Sequence, residues 1–273
     1  MRIIARPDPT YLRKYAVPHY SQSGEDGLVD YILKRLPTTD KWCCEFGAWD
    51  GIHLSNTYHL IRNVNYRAVL IEADRKRFDA LKENVARYPN IFPIHIYVEV
   101  DGKNSLDKIL LQTPITKDFD VLSIDIEGND YHVWKRLQKY FPKLVIIEIK
   151  QTEKPGILKI NDINTETSWT ESGSSISSMT ALANEKGYKL LAAFGFNAFY
   201  IKSEFYGLFF DRDYSIENIF PYDMLPSAGL TWAERLRHWE LLLRYRSKAQ
   251  LLQGLKAKLG LDLDRAIASQ GKD

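Results

Sequence analysis

From about Lys41 onward, short continuous apolar runs alternate with amphipathic stretches of helix length. Trp42–Phe46, Ala68–Glu72, Ile94–Val98, Phe119–Ile124 and Leu144–Ile149 read as strands. Ser55–Arg62, Arg75–Tyr88, Ser105–Leu111 and Asp130–Tyr140 read as the helices between them. Strands that are apolar on both faces and separated by helices belong to a parallel sheet covered on each side. A polar stretch, Gln151–Ser178, then leads to a helix over Ser178–Lys186, stopped by Gly187. Two further runs follow, Tyr188–Ala193 and Ala198–Lys202, joined only by Phe194-Gly195-Phe196-Asn197. A loop that short forces an antiparallel pair. Five parallel strands closed by a hairpin are not the symmetric six-stranded dinucleotide fold.

Residues 1–208 are expected to form this domain and 209–273 a helical extension. Thr231-Trp232-Ala233-Glu234 is a capping box. It opens a helix to about Leu259, with Trp232, Leu236, Trp239 and Leu243 at helical spacing. Between Glu234 and Lys258 seven Lys or Arg stand against two Glu. Such a helix either packs on the domain or on a second subunit, or touches an anionic membrane or a partner protein.

Composition narrows the function classes. A formal charge of +2 on 273 residues gives no ground for a nucleic-acid partner. Cys43 and Cys44 are adjacent inside an apolar run, so neither a disulfide framework nor metal-type spacing is present. The first residues lack the apolar core of a secretory signal, and no apolar run approaches the roughly 20 residues of a membrane span. A cytoplasmic protein is the expectation.

Candidate chemistry gathers at the ends of the expected strands. Glu45-Phe46-Gly47-Ala48-Trp49-Asp50-Gly51 follows the first strand, where glycines let backbone approach a ligand and helix N–H groups point at it. The run is not G-x-G-x-x-G, and an acid before the first glycine suits a cofactor carrying an ammonium group; a plain tight turn is the alternative. Glu72 ends the second strand, 21 residues after Gly51. An acid there commonly holds the two hydroxyls of an adenosine ribose, while Asp74 suits the cap of the next helix. The fourth strand ends in Asp125-Ile126-Glu127-Gly128-Asn129-Asp130, with Glu148 at the tip of the fifth. Clustered acids need a cation, a proton or a base role to relieve their repulsion; the structural alternative is that Asp130 caps a helix and Glu127 binds a turn. His53 and His132 are further base candidates. Tyr20–Gly27 carries polar residues placed to lie over a ligand as a lid, or to cap the helix that follows. Nothing resembles G-x-S-x-G, a Walker loop or H-E-x-x-H.

Taken in order, Ser21-Gln22-x-Gly24-Glu25-Asp26-Gly27, Glu45-Phe46-Gly47-Ala48-x-Asp50-Gly51, Ser55-Asn56-Thr57, Leu70-Ile71-Glu72-Ala73 and Ser123-Ile124-Asp125-Ile126-Glu127-Gly128 resemble the FkbM-type S-adenosylmethionine-dependent methyltransferases. The resemblance covers about Tyr20 to Lys202. It implies an α/β, Rossmann-like class I methyltransferase fold, with a seven-stranded, mostly parallel sheet and a C-terminal antiparallel hairpin. It further implies that Glu45, Gly47 and Gly51 line the methionine end of S-adenosyl-L-methionine, with Ala48 and Asp50 also cofactor-binding. Glu72 would hold the ribose, while Gln22, Ser55 and Asn56 would reach the carboxylate region. Asp125 would face the methyl donor and the acceptor, a hydroxyl of a sugar, glycan or related small molecule. Asp125 is the first candidate for the base, followed by Glu127, Glu148 and His53; a divalent ion, Mg or Mn, held by these acids is the alternative. The segment after the fifth strand is expected to close over the acceptor, with Trp169 available to stack on a sugar ring. Two rival readings remain: a non-catalytic scaffold docking a partner or membrane, and a nicotinamide-dependent oxidoreductase.

Overall fold

The computed structural model describes residues 8–126, 128–163 and 173–222. Glu127, Trp169 and the expected helix at 231–259 lie outside them. The chain up to Pro221 forms one compact unit, and a second begins at Tyr222. Phe209, Phe210, Ile219 and Phe220 are all buried in the first.

Seven strands form one sheet: β1 (Trp42–Phe46), β2 (Arg67–Glu72), β3 (Ile91–His95), β4 (Val121–Ile124), β5 (Leu144–Glu148), β6 (Tyr188–Phe194) and β7 (Asn197–Lys202). Their order is β3-β2-β1-β4-β5-β7-β6. β7 runs antiparallel to both neighbours and the remaining pairs are parallel. This is the Rossmann-like class I methyltransferase topology. Inserting β7 between β5 and β6 separates it from the dinucleotide fold, whose sixth strand joins in parallel.

The helices are α1 (Glu25–Leu33), α2 (Tyr58–Val64), α3 (Arg75–Val85), α4 (Leu106–Leu110), α5 (Asp130–Arg136), α6 (Ile176–Glu185) and α7 (Ile216–Ile219). Strand side chains alternate between the two faces, and both faces are buried. Cys43, Leu70, Val121, Ile146 and Phe199 share one core with Leu28 and Ile32 of α1, Leu60 of α2 and Leu81 of α3. On the other face Tyr200 of β7 packs against Trp134 of α5 and bonds Thr180 of α6 over 2.9 Å. Burial on both sides explains why these strands are apolar throughout rather than alternating.

Several boundaries differ from the pattern by two to four residues, and two of them have a clear local cause. β3 occupies Ile91–His95, three residues before the expected Ile94–Val98, and pairs Ala68 with Ile91 through Glu72 with His95. Pro93 argues against a strand in sequence, but β3 is an edge strand, where a missing N–H is tolerated. α5 ends at Arg136 instead of Tyr140. Leu137 turns to extended backbone, and the amides of Gln138 and Lys139 are taken by the carboxylate of Asp107 at 2.9 Å.

At the N-terminal edge of the sheet, Asp120 is fully buried just before β4. It accepts from Lys143 Nζ at 2.5 Å, Tyr66 Oη at 2.9 Å and the amides of Asp40 and Lys41. Burial pushes its carboxyl above the ordinary range, opposed by Lys143. A carboxylate so enclosed ties the starts of β1, β2, β4 and β5 together at the edge away from the candidate site.

Candidate active site

The carboxyl ends of β1, β2 and β4 meet at one edge. Gly47 and Ala48 turn out of β1 and both donate backbone N–H to Ile71 O at 3.1 Å. Gly47 has φ +77°, and a Cβ there would lie 1.7 Å from the carbonyl oxygen of Asp125. The first glycine therefore lets β4 lie directly against the β1 turn and sets the main chain of exposed Asp125 beside it. Gly51 has φ +76°, and its Cβ would strike Leu81 Cδ1 at 2.4 Å, so it serves packing on α3. Between them, Asp50 Oδ1 accepts from the amides of Ile52 and His53 at 2.9 and 2.7 Å and closes the turn. His53 stands exposed on that turn, edge-on to Trp49.

Trp49 and Leu54 have φ of 52° and 56°, a left-handed backbone that is an outlier for bulky residues. Strain of this kind persists where surrounding contacts over-determine it, and here they do. Trp49 N–H donates to Glu72 Oε2 at 2.8 Å, and Arg77 of α3 stacks on the indole at 3.7 Å. Leu54 bridges in parallel to Ser21.

Glu72 is 5% exposed at the end of β2. Oε1 accepts the Asp74 amide at 2.7 Å and Oε2 the Trp49 amide at 2.8 Å. Asp74 caps α3 separately by accepting from Arg77 N–H at 2.8 Å, as its place before Arg75 suggested.

Glu45, buried near the end of β1, is hydrogen-bonded through both carboxylate oxygens. Its Oε2 accepts from Ser55 Oγ at 2.6 Å and Thr57 Oγ1 at 2.7 Å, and Oε1 from Asn56 N–H at 2.8 Å. Asn56 Nδ2 in turn donates to Ser123 Oγ of β4 at 3.0 Å. The acid is buried and engaged in shaping the Ser55-Asn56-Thr57 turn. Burial raises its pKa, against these hydrogen bonds, which lower it. Thr57, part of the Ser55-Asn56-Thr57 motif but assigned no role from sequence, is thus one of the three donors to this carboxylate.

Tyr20–Gly27 is fastened down. Asp26, fully buried, accepts from the amides of His19, Tyr20, Ser21 and Gly27 and from Ser21 Oγ. Glu25 accepts from Ser23 N–H at 2.7 Å and from Asn197 Nδ2 of β7 at 3.2 Å. Asn197 is the register partner of Glu148 at the tip of β5. Gln22 is exposed on this loop, next to the Ser21–Leu54 bridge.

The loop after β4 is bent by Asp130, whose oxygens accept from Ile126 and Gly128 amides at 2.9 Å each. That removes Asp130 from the acidic cluster. His132 bonds Asn161 O through Nε2 at 2.6 Å. Across the tips, Asn129 Nδ2 reaches Tyr97 Oη of the loop after β3 at 3.5 Å. β3 and β4 are three sheet positions apart, about 14 Å. The contact therefore spans the tips of β2 and β1. Among the described residues no group of three or more His, Cys, Asp or Glu is placed to hold a metal ion. Two surface hollows, of about 210 and 350 Å³, lie at the opposite sheet edge and against the start of β6, away from these tips.

No protein-family model and no curated protein sequence matches the chain. Among solved structures it is similar to the methyltransferase domain of the citrinin polyketide synthase (11% identity, TM-score 0.45), over 67% of this chain and 54% of that one. It is also similar to TrmK of M. capricolum in complex with S-adenosyl-homocysteine (14%, 0.36), over 63% and 65%. A third is the Podospora anserina methyltransferase PaMTH1 with S-adenosyl-homocysteine bound (15%, 0.44), over 72% and 88%. The chain thus spans less than two thirds of the first two. It is the strand order, with β7 reversed between β5 and β6, that identifies the fold.

Proposed function

We propose that the protein is an S-adenosylmethionine-dependent methyltransferase of the FkbM type, acting on a hydroxyl of a sugar, glycan or related small molecule. The observation that carries this reading is Glu72. Each of its oxygens already takes one amide N–H at 2.7–2.8 Å. A carboxylate oxygen has two acceptor positions, so one remains on each oxygen, spaced for a vicinal pair of hydroxyls. That donor set fits an adenosine ribose at the β2 tip, where open α/β sheets bind their ligands. The neighbouring turn, held by Glu45 through Ser55, Asn56 and Thr57, would border the methionine end together with Gly47 and Gln22.

When bound, the cofactor supplies an electrophilic methyl group on a sulfonium. The chain's part is to align an acceptor oxygen with it, a task worth on the order of 7–11 kcal/mol, and to take the hydroxyl proton. Asp125 is the group assigned to that proton, because its main chain lies against Gly47 at the junction of β1 and β4 while its side chain is exposed. Asn129 and Tyr97 close the adenosine side. The reading is tested by incubating the protein with methyl-labelled cofactor and a panel of mono- and oligosaccharides. Label stable to mild base, as an ether is, is the expected product. Transfer to none of the hydroxyl acceptors, with transfer to amine or carboxylate acceptors instead, would refute the substrate class.

A further inference from the structure

Trp49 is placed against its local preferences. Trp42 and Trp134, the other tryptophans among the described residues, are 1 and 0% exposed, whereas Trp49 is 43% exposed. Its backbone is left-handed at φ 52°, a region that bulky side chains avoid and that Gly or Asn enters at little cost. An indole both strained and half out of the core adds little to packing, so the fold alone gives no reason for it. Strain of this kind clusters at ligand sites.

The indole is nonetheless held in one pose. The Trp49 amide donates to Glu72 Oε2 at 2.8 Å. On one face of the ring the Arg77 guanidinium lies 3.7 Å from the centroid, and His53 stands edge-on at 6.0 Å. Arg77 belongs to the first turn of α3, which Asp74 caps, so the stacked cation is rooted in the same junction as Glu72. One ring face is therefore backed, and the other is left for a partner. A single exposed aromatic is ordinary. One fixed through its backbone and its inner face beside a ligand-binding carboxylate is a wall of the site.

The partner follows from Glu72. With its amide on Oε2, the Trp49 Cα lies at most about 4.3 Å from that oxygen. A ribose hydroxyl accepted by the same oxygen would sit at about 2.7 Å, which puts the nucleoside within reach of the indole. The acceptor belongs elsewhere. It must meet Asp125, which follows β4, and β4 and β2 flank β1 on opposite sides. A nucleoside also offers the flat surface that an indole face recognises. Base–aromatic stacking changes affinity by about 5- to 150-fold.

We propose that the open face of the Trp49 indole packs against the adenosine moiety of the cofactor, beside the ribose that Glu72 holds, and so sets nucleoside affinity. This rests on the methyl-transfer reading and adds a residue to its cofactor site. Trp49→Gly keeps the amide to Glu72 and suits the left-handed backbone, so it removes the indole and leaves the turn. The full chain and this variant are titrated calorimetrically with S-adenosylhomocysteine and with methylthioadenosine, which lacks the amino-acid end. Both probes are expected to bind Trp49→Gly about 5- to 150-fold more weakly, by the same factor. Trp49→Asn, which also tolerates this backbone, carries the test if the glycine variant does not fold. Trp49→Phe and Trp49→Leu separate stacking from strain, since both stay strained and only the first keeps a flat ring. The Phe variant should regain most of the affinity and the Leu variant should not. Equal affinity of those two variants overturns the proposal, as does unchanged S-adenosylhomocysteine affinity in Trp49→Gly. A loss confined to S-adenosylhomocysteine also overturns it, because the indole would then serve the methionine end. Failure of the native chain to bind either probe overturns the methyl-transfer reading and the proposal with it.

Discussion

The backbone N–H of Trp49 donates to Oε2 of Glu72 over 2.8 Å, so the turn after β1 is tied to the tip of β2 by the acid assigned to the ribose. Under the proposed function, one carboxylate serves both shape and recognition. The left-handed backbone at Trp49 costs about 1–2 kcal/mol. The amide bond to Glu72 and the Arg77 stack at 3.7 Å offset it. Glu72→Ala should therefore also lower unfolding stability, by about 1–3 kcal/mol, because it strips the part-buried Trp49 and Asp74 amides of their acceptor. Denaturant melts of the two proteins measure this, and equal stability would contradict the tie.

Glu45 gives a pH signature. Burial raises its folded pKa above the ordinary glutamate value, so the folded state binds the proton more tightly than the unfolded state. The resulting stability is fully present below about pH 4.3 and is lost as pH rises through the folded value. Glu45→Gln removes the titration. The difference in unfolding free energy between the native chain and Glu45→Gln, followed from pH 4 to 8, should shift in favour of the variant as pH rises. A constant difference would show that the Ser55, Asn56 and Thr57 hydrogen bonds cancel desolvation, and a shift in favour of the native chain that they outweigh it.

Asp120 and Lys143 test the opposite edge. Asp120 is fully buried and the Lys143 side chain is 10% exposed, with 2.5 Å between Oδ1 and Nζ. Removing one partner leaves the other charge buried, which costs about 3–5 kcal/mol. Lys143→Met should fall in that range by chemical denaturation. Adding Asp120→Asn should recover part of the loss, since the stranded charge is then gone. S-adenosylhomocysteine affinity of the folded fraction should stay unchanged, as both residues lie at the far edge of the sheet.

Much of this architecture was legible in sequence and some was not. Burial on both faces makes β1, β2, β4 and β5 continuous apolar runs, and the short 194–197 connection forces the hairpin. β3 was displaced because Pro93 masks an edge strand. Glu45 and Glu72 stood out as acids ending apolar strands, but their partners did not. The Glu25–Asn197 bond joins residues 172 apart, and no local periodicity encodes such a pair. Asp26 differs: its partners His19, Tyr20, Ser21 and Gly27 are one to seven residues away, and they pin a loop for which the sequence left a lid and a helix cap both open.

Asp125→Ala should separate chemistry from binding. A positioned base contributes about 10²–10⁴-fold, so kcat for a hydroxyl acceptor found in the saccharide panel should fall by that factor. The affinity for S-adenosylhomocysteine should change only a few-fold. Retained turnover would remove Asp125 from the base role and leave the rest of the reading intact.

Calorimetric titration with S-adenosylhomocysteine and, separately, NADH, on the native chain and on Glu72→Ala, tests the central assignment most directly. Binding of S-adenosylhomocysteine alone is predicted, weakened about 10- to 100-fold or more in Glu72→Ala, as expected for lost hydrogen bonds to a charged acceptor. Binding of NADH alone, or S-adenosylhomocysteine affinity unaffected by Glu72→Ala, would contradict it.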